Sequence, residues 1–367
     1  MKTAVLMIGV HASTKGGMRT VADNYLNHAG LREAVCLTYL PFARAGGKLR
    51  RLAFSSAAFV KLLGILLFRR VDLVHIHSAS RGSFLRKSLA LRMAKAFRKP
   101  VVFHLHGAGF EAYYEKSSAA RKAYIRATLR KADRIVCLGQ SWERFFKKTV
   151  GAGERISVLY NAVAAPEKNP YRTDSADIVF LGELGRRKGV YDLLAAVKRS
   201  RGAFPDGVRV LLYGNGEVEK VRSAIEDFGL AGFVFLCGYL EKREKESMFA
   251  SAMINVLPSY HEGLPMTILE MMAHGVPSIT TDAGAIPEAV EHGKSGLIVA
   301  PGDTAALAAA LAYLVNDPEK RLSMSGEAYR CAASKFSIDR HVGELLQIYE
   351  SLRRGSEGAR KKRKVSE

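Results

Sequence analysis

Glu262 and Glu270 stand with seven residues between them, as E-x7-E, in the run HEGLPMTILEMMAHG. The first lies in a loop and the second within the helix that follows. Between them, Gly263, Leu264, Pro265, Met266 and Thr267 form the helix start. Backbone N–H groups there, Pro265 excepted, have no partner one turn back, and they attract anions through hydrogen bonds and the helix dipole. A carboxylate on either side of such an anion site can accept from sugar or ribose hydroxyls while the amides hold a phosphate. The same spacing on an ordinary surface helix is a cap followed by a solvated glutamate.

These residues need rigid elements behind them. Met253 to Leu257 is a short apolar run that reads as a buried strand giving way to the Glu262 loop. Pro265 suits the first helical position, where a missing N–H costs nothing. Leu264, Ile268, Leu269 and Met272 give the helix an apolar stripe, and Gly275 and Pro277 end it. Ser278 to Thr281 then reads as the next strand.

Similar strand, turn and helix units recur along the chain. Ala4 to Val10 runs into HASTKGGMRT, where Gly16 and Gly17 let the backbone approach a ligand. The segments Asp72 to Ile76, Val101 to Leu105 and Arg134 to Leu138 follow basic helices, as a parallel sheet with crossover helices requires. His106 ends one of these strands, at the edge where ligands collect. His75 and His77 read as structural or acceptor-side. Asp177 to Gly182 leads into ELGRRKGVYDLLAAV, and Gly214 and Gly216 close another strand. NAVAAPEKNPYRTDSAD, lacking periodicity, marks a linker.

The stretch from His261 to Val290 resembles the donor-binding signature of the retaining glycosyltransferases of family four. Three further segments carry the likeness: ELGRRKG resembles G-R-L-x-x-x-K-G, YNAV resembles the linker start N-G-V, and the HASTKGG loop resembles the first-strand GG loop. Glu183 stands where that pattern has arginine, with Lys188 in place and Arg186 or Arg187 as substitutes. The resemblance implies a GT-B fold: two doubly wound, Rossmann-like α/β domains facing across a cleft. An N-terminal acceptor-side domain would occupy 1–165 and a donor-binding domain 166–336. A helix at about 337–353 would pack back on the first domain, followed by a disordered basic tail, 354–367.

The implied activity is transfer of a sugar from a nucleoside-diphosphate sugar to a hydroxyl acceptor, with retention. Glu270 would accept from ribose hydroxyls, Glu262 would hold the donor sugar, and His106 would orient it. Lys188, the helix amides and the Gly16–Gly17 loop would stabilise charge on the leaving diphosphate. No metal or other cofactor is expected. A nucleotide-sugar epimerase of the same fold and a basic nucleic-acid-binding protein are the competing readings. The second is disfavoured, because no RNA-binding aromatic motif or zinc spacing occurs.

Charge separates the two halves. The 367 residues carry a formal charge of +21, and residues 1–165 hold 29 Lys and Arg against 8 Asp and Glu, with 27 of each afterwards. That asymmetry predicts an anionic partner for the first half, with an anionic membrane surface and a lipid-linked acceptor foremost. Lys48 to Arg70, basic at both ends and apolar between, is the segment expected to lie at that surface. Phe59 to Phe68, broken by Lys61, reads as too short to span a bilayer. The scattered cysteines read as buried thiols in a reducing compartment, so a cytoplasmic, peripheral location is expected.

Overall fold

The computed structural model describes residues 2–44, 46–151 and 153–366; for Lys48, Lys242, Arg243 and residues from 356 onward it describes the backbone alone. The chain divides into two compact units, Met1–Asn161 with Ile338–Glu367, and Ala162–Ser337.

The first unit holds β1 (Thr3–Gly9), β2 (Val35–Pro41), β3 (Leu73–Ser78), β4 (Val101–Leu105), β5 (Arg134–Cys137) and β6 (Ile156–Val158), all parallel, in the order β2-β1-β3-β4-β5-β6. Its helices are α1 (Gly17–Asn27), α2 (Ala29–Ala34), α3 (Lys48–Phe68), α4 (Gly82–Ala96), α5 (Phe110–Glu115), α6 (Ala119–Lys131) and α7 (Gln140–Val150). The second unit holds β7 (Asp177–Leu181), β8 (Arg209–Tyr213), β9 (Val234–Gly238), β10 (Ala252–Leu257), β11 (Ser278–Thr281) and β12 (Gly296–Val299). These run parallel in the order β12-β11-β10-β7-β8-β9. Around them lie α8 (Val190–Ser200), α9 (Val218–Asp227), α10 (Lys242–Ser251), α11 (Met266–Ala273), α12 (Thr304–Asn316) and α13 (Pro318–Ser334). The last helix, α14 (Ile338–Ser366), returns to the first unit.

Both sheets are the doubly wound kind anticipated from the alternation of runs. Strand order reverses between β1 and β3 in the first and between β7 and β10 in the second. Loops leaving the carboxyl ends of those pairs splay to opposite faces and open a crevice.

The two faces of the first sheet differ sharply. Leu6, Ile8, Val74, Ile76, Phe103 and Leu105 point into an apolar core shared with α3, α4, α6 and α7. Alternation along the strands puts His75, His77 and His104 on the opposite face, where Tyr25 of α1 and His341 and Tyr349 of α14 meet them.

Some expectations change. Pro265 caps α11 instead of opening it: its φ of -69° suits a helix, but its ψ of 128° is extended. The segment from 354 was expected to lack structure, yet α14 runs through it to Ser366. Arg, Glu, Ala and Lys dominate there, and Gly355 and Gly358 each cost a helix only about 1 kcal/mol. Cys36 and Cys237 are exposed, contrary to the expectation of buried thiols. In α3, Leu62 and Leu66 enter the core, with Phe59 packed against it. Leu49, Leu52, Val60, Leu63, Leu67 and Phe68 stay exposed. Leu49–Phe68 is long and apolar enough to cross a membrane, which the shorter run Phe59 to Phe68 is not. Its buried residues, Ala58, Leu62 and Leu66, pack into the core of the first unit.

Candidate functional site

At the second unit's crevice, the loop after β7 and the loop after β10 lock together. Tyr260 N–H donates to Arg187 O at 2.9 Å. Gly189, φ 73°, sits where a Cβ would stand 2.1 Å from Pro258 O, so this approach excludes any side chain. The locked loops place Lys188 against Glu262, an ion pair whose side chains are 13% and 6% exposed. Ser259 Oγ donates to the same Glu262 oxygen at 2.8 Å. Breaking such a buried pair from one side costs about 3–5 kcal/mol, since a charge is left without a partner.

Gly263, Leu264, Pro265 and Met266 are buried behind Glu262, and Thr267 is half-buried in the first turn of α11. No side chain caps that helix start. Two turns along, Glu270 takes both oxygens to Lys245 Nζ of α10, at 2.8 and 2.7 Å. Glu262 and Glu270 are therefore each held by a lysine. The Lys245 contact does not follow from the motif, because α10 has no fixed spacing to Glu270, whereas Ser259 stands three residues before Glu262 in the same loop.

Arg186 and Arg187 separate in role. Arg187 is paired with Glu183 at 2.7 Å, so the residue that departs from the family pattern occupies one of its two candidate substitutes. Arg186 lines a cavity of about 580 Å³ with Arg187, Tyr191, Asp192, Tyr260 and His261.

The remaining predicted residues belong to the first unit. Gly16, φ 114°, and Gly17 form an exposed turn at the start of α1. His106 follows β4, with Nε2 at 2.8 Å from Nδ1 of His77. His75 Nε2 meets His104 Nδ1 at 3.2 Å, and Tyr349 OH lies 2.6 Å from His75 Nδ1. Tyr25 OH lies 2.6 Å from His341 Nε2, whose Nδ1 is 2.6 Å from Tyr160 O. Burial holds His75, His77 and His104 well below the ordinary imidazole range and lowers His341 to about 4. This is a neutral, hydrogen-bonded aromatic layer. His75 and His77, left open between structural and acceptor-side roles, lie inside it.

His75, His77 and His104 each offer a ring nitrogen within 4.8 Å of the others, the donor set a transition metal takes. No carboxylate joins them among the described residues, and the buried Lys87 adds positive field at His77. A dication there would be poorly compensated, and the ring-to-ring hydrogen bonds already use several of the nitrogens.

The sequence pattern of Glycosyltransferase Family 4 matches residues 21–165, and that of Glycosyl transferases group 1 matches residues 175–317. The chain is 27% identical to glycogen synthase of Mycobacterium tuberculosis over 308 residues, 81% of this chain and 72% of that protein. Its fold is similar to sucrose-phosphate synthase from Thermosynechococcus elongatus, with a TM-score of 0.80 at 18% identity, covering 96% of this chain and 99% of that one. Anabaena HepE in complex with UDP-glucose gives a TM-score of 0.75 at 18% identity, over 95% and 99% of the two chains.

Proposed function

The chain belongs to the family 4, group 1 glycosyltransferases of GT-B fold, and on that premise we propose the reaction it performs. It transfers a sugar from a nucleoside-diphosphate sugar to a hydroxyl acceptor with retention at the anomeric carbon. The acceptor is lipid-linked or a growing cell-surface polysaccharide.

The observation that carries this reading is the lysine–glutamate pair at the second unit's crevice, beside an uncapped helix start. A diphosphate entering there meets Lys188 and the amides of α11, which stabilise the charge that develops as the sugar leaves. Glu262, relieved of part of its bond to Lys188, accepts from a sugar hydroxyl. Glu270 accepts from the ribose in exchange for one contact with Lys245. HepE, a structural neighbour, was solved with UDP-glucose, which is the class of donor this site suits.

Retention follows best from front-face attack, in which the leaving phosphate takes the acceptor proton. Glu262 is engaged by Lys188 and Ser259, and a carboxylate held in this way is a binding group, not a free nucleophile. Lysine and backbone dipoles carry the leaving-group charge in this scheme, so no metal enters the step.

The first unit would rest on the inner face of an anionic membrane, in the cytoplasm. The exposed stripe of α3, from Leu49 to Phe68, and the excess of basic residues support that placement.

The test is a thermal-shift panel of nucleoside-diphosphate sugars, followed by transfer assays with the donor that stabilises the protein. One donor should shift the melting temperature and its sugar should appear on an acceptor. No shift with any donor overturns the reading, and turnover of donor to an epimer without acceptor replaces it.

A further inference from the structure

The crevice of the first sheet, between the ends of β1 and β3, carries cations that the donor site leaves unused. Lys87, in the second turn of α4, is only 1% exposed. Its Nζ donates to Gly9 O at the end of β1, 3.0 Å away, and stands 4.7 Å from the Phe42 ring centroid. Arg86 folds back over the first turn of α4, its guanidinium 3.5 Å from where a Cβ on Gly82 would lie. Arg86 Nε is buried and has no hydrogen-bond partner. Burial lowers the pKa of both Arg86 and Lys87, and the charge of Arg51 of α3 on Arg86, and of Arg86 on Lys87, adds to it. The loop after β1 joins them, with the His11 ring edge-on to Phe54 of α3 at 5.5 Å.

Nothing acidic balances this group. Among the described residues Arg51, Arg86 and Lys87 form no ion pair, and Asp23, on the helix that follows β1, is taken by Arg19. Taking an ammonium out of water costs several kcal/mol, and a single carbonyl contact, worth about 1.5–3 kcal/mol to a charged group, does not offset that. Guanidinium groups cannot relieve the repulsion by losing a proton. An anion with several oxygens relieves all three cations at once, and the arginine fork matches the oxygens of a phosphoryl group. The place is one where open α/β sheets gather ligands.

We propose that this crevice binds a phosphoryl group carried by the acceptor, a phosphomonoester or diphosphate gripped by Arg51 and Arg86 with Lys87 supplying charge from beneath. The assignment rests on the transferase reading, since only a transferase has an acceptor. Leu49 and Leu52, exposed and one turn apart on α3, set an apolar surface next to Arg51. A phosphate next to a lipid chain fits both.

Pyrophosphate is the probe. Titrated by calorimetry, it should bind the wild-type protein and the Lys188→Ala variant, in which the proposed donor contact is removed. Binding should weaken at least tenfold in Arg86→Gln, further in Arg51→Gln/Arg86→Gln, and should fall with added salt. UDP titrated in parallel should bind Arg86→Gln as it binds wild type. Failure of UDP and other nucleoside diphosphates on wild type would sink the donor reading while leaving the pyrophosphate result to be judged by itself. Vesicles of phosphatidylglycerol separate the two sources of phosphate: Arg86→Gln should pellet with them as wild type does. The proposal is overturned if Lys188→Ala binds no pyrophosphate, or if the arginine variants bind it unchanged. Loss of vesicle binding in Arg86→Gln without loss of pyrophosphate binding overturns it too, by assigning the cation to lipid headgroups.

Discussion

The two crevices occupy equivalent places in two sheets of similar design, yet they handle charge in opposite ways. In the second unit every carboxylate singled out from the sequence is matched by a cation: Glu262 by Lys188, Glu270 by Lys245 and Glu183 by Arg187. In the first unit Lys87, Arg51 and Arg86 stand without carboxylates, on helices that pack against the sheet face opposite the neutral imidazoles. A site whose charges are already balanced can exchange partners when a ligand arrives, each protein contact being replaced by a ligand contact. A site with charge left over selects for an anion. The same topology thus provides one place suited to releasing a diphosphate and another suited to holding a phosphate in place.

The largest test of that contrast is Lys188→Ala. It should reduce transfer more than about 100-fold, because transition-state charge and Glu262 both lose their partner. Arg186→Ala should cost less, and Arg187→Ala least, since Arg187 is already committed to Glu183. Initial rates at saturating acceptor give the ranking. Inactivity of Arg187→Ala equal to that of Lys188→Ala would mean that the pair with Glu183 opens during the reaction.

Acid should distinguish the units next. His341 is neutral in the folded first unit, with its pKa lowered to about 4 from about 6.5. An unfolded chain binds more protons between those values, so stability is complete above about pH 6.5 and falls as pH drops toward 4. His341 alone contributes on the order of 3 kcal/mol to that loss, and the buried His75, His77 and His104 act in the same direction. Hydrogen exchange from pH 7 to 4.5 should show β3 and β4 losing protection while β7 and β10 keep theirs. Equal loss in both sheets would remove the histidine layer as the cause.

Glu270→Ala should weaken donor binding by about 1.5–3 kcal/mol, the value of a charge-assisted hydrogen bond. Glu262→Ala should lower turnover more than affinity. Calorimetry with donor and the transfer rate together decide this, and wild-type values for both variants would remove the site assignment. The smallest effect is expected at the membrane: Arg50→Gln should weaken pelleting with anionic vesicles by about 1 kcal/mol and leave donor binding unchanged.

Much of the second unit was legible because its signals are local. A strand, a loop glutamate, a proline at the helix start and an apolar stripe lie within thirty residues, and each constrains the next. Lys188 could be named because a glycine turn and a helix start fix its place. Lys245 could not, since it sits in a polar helix whose side toward Glu270 depends on how α10 packs. Glu183 was noticed as a departure, but its pairing with Arg187 depends on the turn between them. In the first unit the readable signal was present and unused. His75-x-His77 and His104-x-His106 each keep the period of two that puts both rings on one face of a strand, and neighbouring strands bring the pairs together. Exposure along α3 was harder, because Phe59 and Leu63 have similar hydrophobicity, and packing decides that one meets the core and the other does not.

The return of α14 also has a consequence for how the protein is made. The second unit is an insertion within the first: Val163 N–H donates to Phe336 O at 2.9 Å, so the chain enters and leaves it at one point. During synthesis the ribosome delivers all six strands of the first sheet long before residues 341 and 349. Until those emerge, His75 and Tyr25 lack the partners His341 and Tyr349 provide, and one face of the nascent sheet stays wet. The first unit to be translated is therefore the last to be finished. A released chain truncated after Ser337 should carry a folded second unit beside a first unit still open to protease.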